Sequence, residues 1–266
     1  MIKFPDFNPT IVHIGPLKIQ WYALMYIISF VIGYFLLKKL YKERNLKITR
    51  ADYENLFFYI MLGVIIGGRF GYVLFYNLKE CIRNPLEIIA VWHGGMSFHG
   101  GMICSIFFGY LFCKKHKYNF YKLADPTVVV APIGLALGRF GNFINGELYG
   151  RPTNLPWGMI FPGEDFARHP SQLYELFLEG VLLFVILLFL SRKKLRNGFI
   201  FWSFIFLYGL FRFLVEFVRQ PDPQLGFIIG FLTMGQILSL LMIITAIIGF
   251  ISIRKNPYLT DNKNKV

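Results

Sequence analysis

Apolar residues are grouped along the chain into seven long stretches, separated by shorter polar connections. A helix needs roughly 20 residues to cross a hydrocarbon core of about 30 Å, and each stretch approaches that length. The pattern therefore predicts seven transmembrane helices, near residues 19–37, 56–76, 95–113, 124–144, 173–190, 198–218 and 231–253. Composition agrees, because 55% of the 266 residues are hydrophobic and only 16% are charged, too few for a soluble domain of this size. We expect an all-α integral membrane protein.

The basic residues between the apolar stretches predict the orientation of the chain. From the N-terminal tail to the C-terminal tail, Lys and Arg number 2, 6, 2, 4, 2, 4, 1 and 4, which places 18 on one side and 7 on the other. The side richer in Lys and Arg normally faces the cytoplasm. We therefore expect the N-terminus outside and a cytoplasmic tail over residues 254–266.

Residues 1–266 show no internal repeat, low-complexity tract or long linker, so a single membrane domain is expected. The external connection 145–172 contains four prolines, which do not fit a regular helix, and it should form an irregular external cap or lid. The first 18 residues contain prolines before any long apolar run, so they do not have the pattern of a cleavable signal peptide.

The net charge of +13 does not indicate a nucleic-acid partner, because the basic residues lie in short clusters beside apolar runs. Cys81, Cys104 and Cys113 form no CxxC pair, and the five histidines form no HExxH motif. No metal or other cofactor is expected.

Three arginines, Arg69, Arg139 and Arg212, lie inside predicted membrane segments. An arginine in hydrocarbon is costly and normally faces a polar cavity or a partner. The predicted orientation places all three in the outer halves of their segments. Arg212 also shares one helical face with Glu216 and Arg219, at spacings of four and three. Further polar groups fall at the outer ends of the other segments: Tyr22, Ser97, His99, Asn142, Gln172, Tyr174 and Glu175.

Several of these groups also have a structural interpretation. Glu216 and Arg212 are spaced to neutralise each other, and Arg219 is placed to anchor the helix at the interface. Tyr22, directly after a tryptophan, also fits an aromatic belt. Asn142 and Asn145 fit the closure of a helix C-terminus.

His99 is the candidate general base because it lies within Gly94-Gly95-Met96-Ser97-Phe98-His99-Gly100-Gly101, where paired glycines allow the backbone to approach a ligand. His93, in an external connection, is expected to have no chemical role. Arginine forks match phosphate oxygens, and phospholipid is the phosphate source at this depth of a membrane.

Four motifs carry a resemblance to a known family. They are the glycine-rich run 94–101, Gly138-Arg139-Phe140-Gly141-Asn142-Phe143-Ile144-Asn145-Gly146-Glu147, Arg168-His169-Pro170-Ser171-Gln172-Leu173-Tyr174-Glu175, and Val218-Arg219-Gln220-Pro221-Asp222. Together they resemble the bacterial prolipoprotein diacylglyceryl transferases, over essentially the whole chain.

The resemblance implies a seven-helix enzyme of the bacterial inner membrane with its active site toward the outer face. It would move the sn-1,2-diacylglyceryl group of phosphatidylglycerol to the lipobox cysteine of a prolipoprotein signal peptide, releasing glycerol phosphate. Its partners would be these two substrates and membrane lipids. The matching motifs imply that the functional positions are Tyr22, His99, Arg139, Asn142, Glu147, Gly150, Arg212, Glu216 and Arg219.

Our hypothesis is that Arg139 and Arg212 hold the phosphate while His99 assists deprotonation of the thiol. Arg69 is expected to add to phosphatidylglycerol binding, with Asn142, Glu147, Gly150 and Arg219, and Glu216 to orient Arg212.

Two other classes of protein remain alternatives. A transporter or channel would also place polar groups inside a helical bundle, but it predicts them through the full depth of the membrane. An intramembrane serine protease would use Ser97 as the nucleophile, although the run around Ser97 lacks the glycine that follows serine in GxSxG elbows.

Overall fold

The computed structural model describes residues 2–5, 7–14, 17–90, 95–221 and 226–255. His93, Asp222 and the end of the tail from residue 256 lie outside the described residues. The described chain forms two compact units, a larger one of residues 2–43 and 125–255 and a smaller one of residues 44–124. A single membrane domain over residues 1–266 stays a prediction.

Helices account for most of the described residues. They are α1 (Trp21–Glu43), α2 (Arg50–Tyr76), α3 (Leu78–Arg83), α4 (Phe98–His116), α5 (Phe120–Ile144), α6 (Ser171–Ser191), α7 (Phe199–Val215) and α8 (Met234–Lys255). A short 3₁₀ turn covers Pro85–Ile88, and α6 is π-helical over Leu176–Leu182. The chain is thus predominantly helical.

The described residues also contain three pairs of short strands, so the chain is not purely helical as the all-α prediction stated. They are β1 (Ile2–Lys3) parallel to β4 (Met159–Ile160), β2 (Thr10–Ile14) antiparallel to β3 (Leu17–Gln20), and β5 (Phe227–Ile229) antiparallel to β6 (Leu232–Thr233). The first predicted membrane segment began inside β3, and the last began in the turn between β5 and β6 and included β6, so both began too early. Short apolar strand runs and the start of an apolar helix look alike by periodicity.

Five of the described helices are long and apolar enough to cross a membrane, namely α1, α2, α5, α6 and α8. Helix α7 is apolar but has 17 residues. Helix α4 has His99 and glycines at one end and Lys114 and Lys115 at the other, which lower its hydropathy. A multi-pass membrane protein therefore fits the described helices, and the count of seven spans stays a prediction.

In the smaller unit, α2 and α4 pack backbone against backbone. A Cβ atom added at Gly67 would lie 2.3 Å from the carbonyl oxygen of Gly100, and one added at Gly100 would lie 2.2 Å from that of Gly67. Small residues spaced by four allow such close helix packing in membranes. The contact fixes the first turn of α4, which carries His99.

In the larger unit, Asp125 ties the beginnings of α5 and α7 together. Its carboxylate is 1% exposed and accepts hydrogen bonds from the backbone N–H groups of Gly198, at 2.9 Å, and Phe201, at 2.8 Å. A carboxylate at a helix N-terminus satisfies amide groups that have no partner within the helix. Because α5 and α7 both begin here, their C-terminal ends lie together at the other end of the helix pair. These ends carry Arg139 and Arg212.

Residues 145–170 contain no helix, as an irregular segment requires, whereas residues 171 and 172 of the predicted cap already belong to α6, and its external position stays a prediction. Backbone bridges join Gly150 to Arg219 and Arg168 to both Pro152 and Met159. The Arg168 guanidinium lies 2.7 Å from the Glu164 carboxylate, and this interaction, with a hydrogen bond from Tyr149, lowers the pKa of Glu164. Ionic and backbone contacts together hold this cap.

Candidate active site

Glu175 lies at the centre of a buried charge cluster. Its carboxylate is 0% exposed, contacts the Arg212 guanidinium, and lies 2.5 Å from Arg139 and 3.7 Å from Arg219. A buried charge is tolerated only with close partners of opposite sign, because desolvation costs several kcal/mol per ion. Three arginines from two parts of the chain are thus gathered around one carboxylate.

Arg212, Glu216 and Arg219 meet at the end of α7, but not on one helical face as predicted, because α7 ends at Val215 and the last two residues follow it. Glu216 Oε2 lies 3.1 Å from Arg212 Nη2, and Glu216 Oε1 lies 3.7 Å from Arg219 Nη1. Thr233 Oγ1 donates a hydrogen bond of 2.9 Å to Glu216 Oε1. Gly235 leaves room for this carboxylate, since a Cβ atom there would lie 2.7 Å from it. Glu216 is therefore held in place and is positioned to orient both arginines.

The end of α5 brings Arg139 and Asn142 together. Arg139 Nη1 lies 3.4 Å from Asn142 Oδ1, and Asn142 Nδ2 donates a 2.8 Å hydrogen bond to Glu147 Oε1. Asn145 donates to the same oxygen at 3.2 Å. Gln172 also donates to the carbonyl oxygen of Glu147, at 2.6 Å. These bonds link the motif of residues 138–147 to the start of α6 and hold Arg139 through Asn142.

Gly150 holds the backbone that carries Arg219. Its N–H donates to the carbonyl oxygen of His169 at 2.8 Å, and the next N–H, of Arg151, donates to that of Val218 at 2.8 Å. A Cβ atom at Gly150 would lie 2.4 Å from the Val218 oxygen. The absence of a side chain therefore allows the cap and the chain after α7 to approach each other.

Tyr22 lies in the first turn of α1 and contacts α5 beside the arginine. A Cβ atom at Gly141 would lie 3.1 Å from Tyr22 Cα, so the two helices are close here. The Tyr22 and Tyr26 hydroxyl groups are 3.2 Å apart. Tyr22 interacts electrostatically with both Arg139 and Glu147. The larger unit thus brings together eight predicted site residues: Tyr22, Arg139, Asn142, Glu147, Gly150, Arg212, Glu216 and Arg219.

The two remaining predicted site residues, His99 and Arg69, belong to the smaller unit. Arg69 is 5% exposed and donates to the carbonyl oxygens of Glu87, Ile88 and Gly95. Its guanidinium also lies 3.8 Å from the Glu87 carboxylate. These contacts are enough to explain why Arg69 is buried, with no ligand needed. The part of Arg69 in phospholipid binding stays a prediction.

Ser97 has a structural role that bears on the protease alternative. Its hydroxyl oxygen accepts a hydrogen bond from the N–H of Gly100 at 3.3 Å and caps α4, while its own N–H donates to Gly68 at 2.8 Å. A serine that caps a helix is explained without nucleophilic chemistry.

Glu175 and Glu179, both on α6, are 0% exposed and lie in the cluster. Neither was among the predicted site residues. Glu179 Oε1 lies 3.6 Å from Arg212 Nη1. The signal in the sequence is a pair of acids four residues apart, Glu175 and Glu179, in an apolar segment that supplies no cation for them. Such a pair indicates that a cation faces it from another helix.

The cluster suits the binding of an anion with several oxygens. Arg139 has the most accessible side chain of the three arginines, at 17% exposure against 9% for Arg212 and 9% for Arg219. Several guanidinium groups in a poorly solvated site bind phosphate oxygens strongly and in a fixed geometry. Across the described ranges, no three His, Cys, Asp or Glu side chains are grouped to hold a metal ion.

The chain is similar to known proteins over most of its length. Residues 9–252 match the family model described as prolipoprotein diacylglyceryl transferase. A protein of Geobacter sulfurreducens is 51% identical over 239 residues, 90% of this chain and 92% of that protein. One of Rickettsia africae is 48% identical over 263 residues, covering 96% of this chain and 100% of that protein. Both are named phosphatidylglycerol–prolipoprotein diacylglyceryl transferase.

Proposed function

Because the chain belongs to the prolipoprotein diacylglyceryl transferase family, we propose that it transfers the sn-1,2-diacylglyceryl group of phosphatidylglycerol to the cysteine thiol of a prolipoprotein lipobox. The products are a thioether-linked diacylglyceryl cysteine and glycerol 1-phosphate. The observation that carries the proposal is the convergence of Arg139, Arg212 and Arg219 on one buried carboxylate.

Arg139 and Arg212 hold the phosphate of the lipid in this proposal. Each guanidinium is already held in place by Glu175, so the phosphate meets donors whose orientation exists before it arrives. Preorganised cations also stabilise negative charge that develops on the leaving phosphate in the transition state. Asn142 and Glu216 keep the two guanidinium groups oriented.

The transfer step exchanges one bond for another. The thiol sulfur attacks the glyceryl carbon that carries the phosphoester oxygen, so a C–S bond forms and the C–O bond breaks. The electron pair of the broken bond goes to the phosphate oxygen, which the arginines neutralise. A thiol has a reference pKa of about 8.5, so a base favours the reactive thiolate. His99 is the proposed acceptor of the thiol proton.

We further propose seven membrane spans, in which α4 and α7 complete the set begun by the five longer helices. An odd number of spans agrees with the distribution of Lys and Arg, which places the N-terminus outside. The arginine cluster then faces the outer side of the bacterial inner membrane, where the lipobox cysteine would reach it. Labelling of single cysteines introduced in the connections, from one side only, tests this orientation.

A defined reaction tests the proposed activity. The purified protein receives phosphatidylglycerol and a synthetic lipobox peptide, and mass spectrometry measures the product. We expect a diacylglyceryl adduct on the peptide and none on a matched peptide whose cysteine is replaced by alanine. The absence of an adduct, or an equal adduct on the alanine peptide, would reject the proposal.

A further inference from the structure

The buried cluster is balanced in charge before any substrate binds. Its cations are Arg139, Arg212 and Arg219, and its anions are the carboxylates that contact them, Glu175, Glu179 and Glu216. A phosphodiester adds one negative charge that the fixed charges do not compensate. An uncompensated buried charge is strongly unfavourable, and a titratable group nearby normally changes its protonation instead.

Glu179 is the carboxylate of the cluster with the weakest contacts. Its nearest cation is Arg212 Nη1, at 3.6 Å, and neither of its oxygens has a hydrogen-bond partner among the described residues. Glu175, in contrast, contacts three arginines, and Glu216 also accepts a hydrogen bond from Thr233. Of the three carboxylates, Glu179 therefore gives up the least favourable interaction with cations and hydrogen-bond donors when it takes up a proton.

The groups that face Glu179 come from each element packed around it. They are Glu175 from its own helix, Arg139 from α5, Tyr208 and Arg212 from α7, and Arg219 beyond the end of α7. Tyr208 is only 1% exposed. When a phosphodiester engages the arginines, Glu179 shares their positive field with one more anion.

The local backbone holds Glu179 in this place. The residue lies in the π-helical part of α6, Leu176–Leu182, and such segments are frequent at functional sites. The next residue, Gly180, packs against α5 so closely that a Cβ atom there would lie 2.5 Å from Ala136 Cβ. The carboxylate is thus kept against the arginines and away from solvent.

We propose that Glu179 takes up one proton when a phosphodiester anion binds to the three arginines, so that the occupied site stays neutral. The proposal rests on the proposed function for the identity of the lipid. Glu179 acts through Arg212 and is a positioning residue. Because binding takes up a proton, the affinity for the lipid falls as the pH rises. The fall is about tenfold per pH unit between the pKa values of Glu179 in the free and the occupied site.

Equilibrium binding of radiolabelled phosphatidylglycerol to the full-length protein, without peptide, tests the proposal from about pH 4, near the reference pKa of glutamate, to about pH 9. The phosphodiester does not titrate in this range. We expect the wild type to show a region in which affinity falls about tenfold per pH unit, and Glu179→Gln to bind without that dependence. Uncharged diacylglycerol should show no such slope with either protein.

Two controls identify the group that takes up the proton. Glu164→Gln, the same change in the cap, and His99→Gln, which removes the imidazole proposed as the base, should both keep the wild-type slope. An unchanged slope in Glu179→Gln, or its loss only in His99→Gln, would overturn the proposal.

A measurement on the wild type keeps the test valid if Glu179→Gln does not fold. Calorimetric titration with phosphatidylglycerol in buffers of different ionisation enthalpy counts the protons taken up, and we expect about one per lipid within the sloping region. A count of zero at every pH would overturn the proposal. Because no step requires transfer, lipid binding with proton uptake but no peptide adduct would reject only the proposed function.

Discussion

The substitution Gly150→Ala adds one methyl group and removes no polar group, yet it should distort the arginine cluster. A Cβ atom there would lie 2.4 Å from the Val218 carbonyl oxygen, whereas ordinary contacts begin at 3.4 Å, so the two segments must separate by about 1 Å. Overpacking of this kind costs about 1–3 kcal/mol of stability. Val218 directly precedes Arg219, so the shift displaces a cation of the cluster. A misplacement of about 1 Å reduces catalysis roughly 100-fold, which is the loss of kcat/KM that we predict for Gly150→Ala.

The assay is diacylglyceryl transfer to a lipobox peptide, with the thermal unfolding temperature measured on the same preparations. The matched control is Gly109→Ala in α4, where an added Cβ atom meets nothing within 4 Å. Alanine is favoured over glycine in a helix by about 1 kcal/mol, so this variant should keep its activity and be at least as stable. Full activity of Gly150→Ala, or an equal loss in Gly109→Ala, would refute the reasoning.

Three further changes test other parts of the account. Glu175→Gln leaves buried arginines short of an anion and should lower the free energy of unfolding by about 3–5 kcal/mol, whereas the same change at exposed Glu54 should alter it by less than about 1 kcal/mol. Equal losses in denaturation experiments would contradict this difference. Arg168 lowers the pKa of Glu164, so that carboxylate stabilises the cap at neutral pH and loses its contribution as the pH falls through the lowered pKa. Glu164→Gln should therefore lose less stability than the wild type on acidification, and parallel curves of unfolding temperature against pH would exclude this. His99→Gln should lower kcat and remove the rise of the transfer rate with pH that a general base produces, and an unchanged pH profile would reject the base role.

The charges near the ends of the helices could be predicted because their spacing is local. The intervals of four and three between Arg212, Glu216 and Arg219 predicted that the three lie close together, and all three meet in the cluster although α7 ends at Val215. The cost of Arg139 in an apolar segment likewise indicated a partner from another part of the chain. That partner is Glu175, on α6.

Contacts that depend on the backbone could not be predicted in the same way. Arg69 donates to the carbonyl oxygens of Glu87, Ile88 and Gly95, which the sequence does not place near it, and its expected part in phospholipid binding stays a prediction. The close approach at Gly150 also depends on the path of the cap. The interval of four between Glu175 and Glu179 indicates a cation on another helix, but the sequence does not show that this cation is Arg212.

The central claim is that the arginine cluster holds the phosphate of the lipid, and binding of phosphatidylglycerol to Arg139→Gln tests it most directly. Arg192→Gln, at an exposed arginine after α6, is the matched control, and uncharged diacylglycerol is the control ligand. We predict that Arg139→Gln binds phosphatidylglycerol about 100-fold more weakly than the wild type, with unchanged binding of diacylglycerol. Equal affinity of Arg139→Gln and the wild type for phosphatidylglycerol would contradict the account.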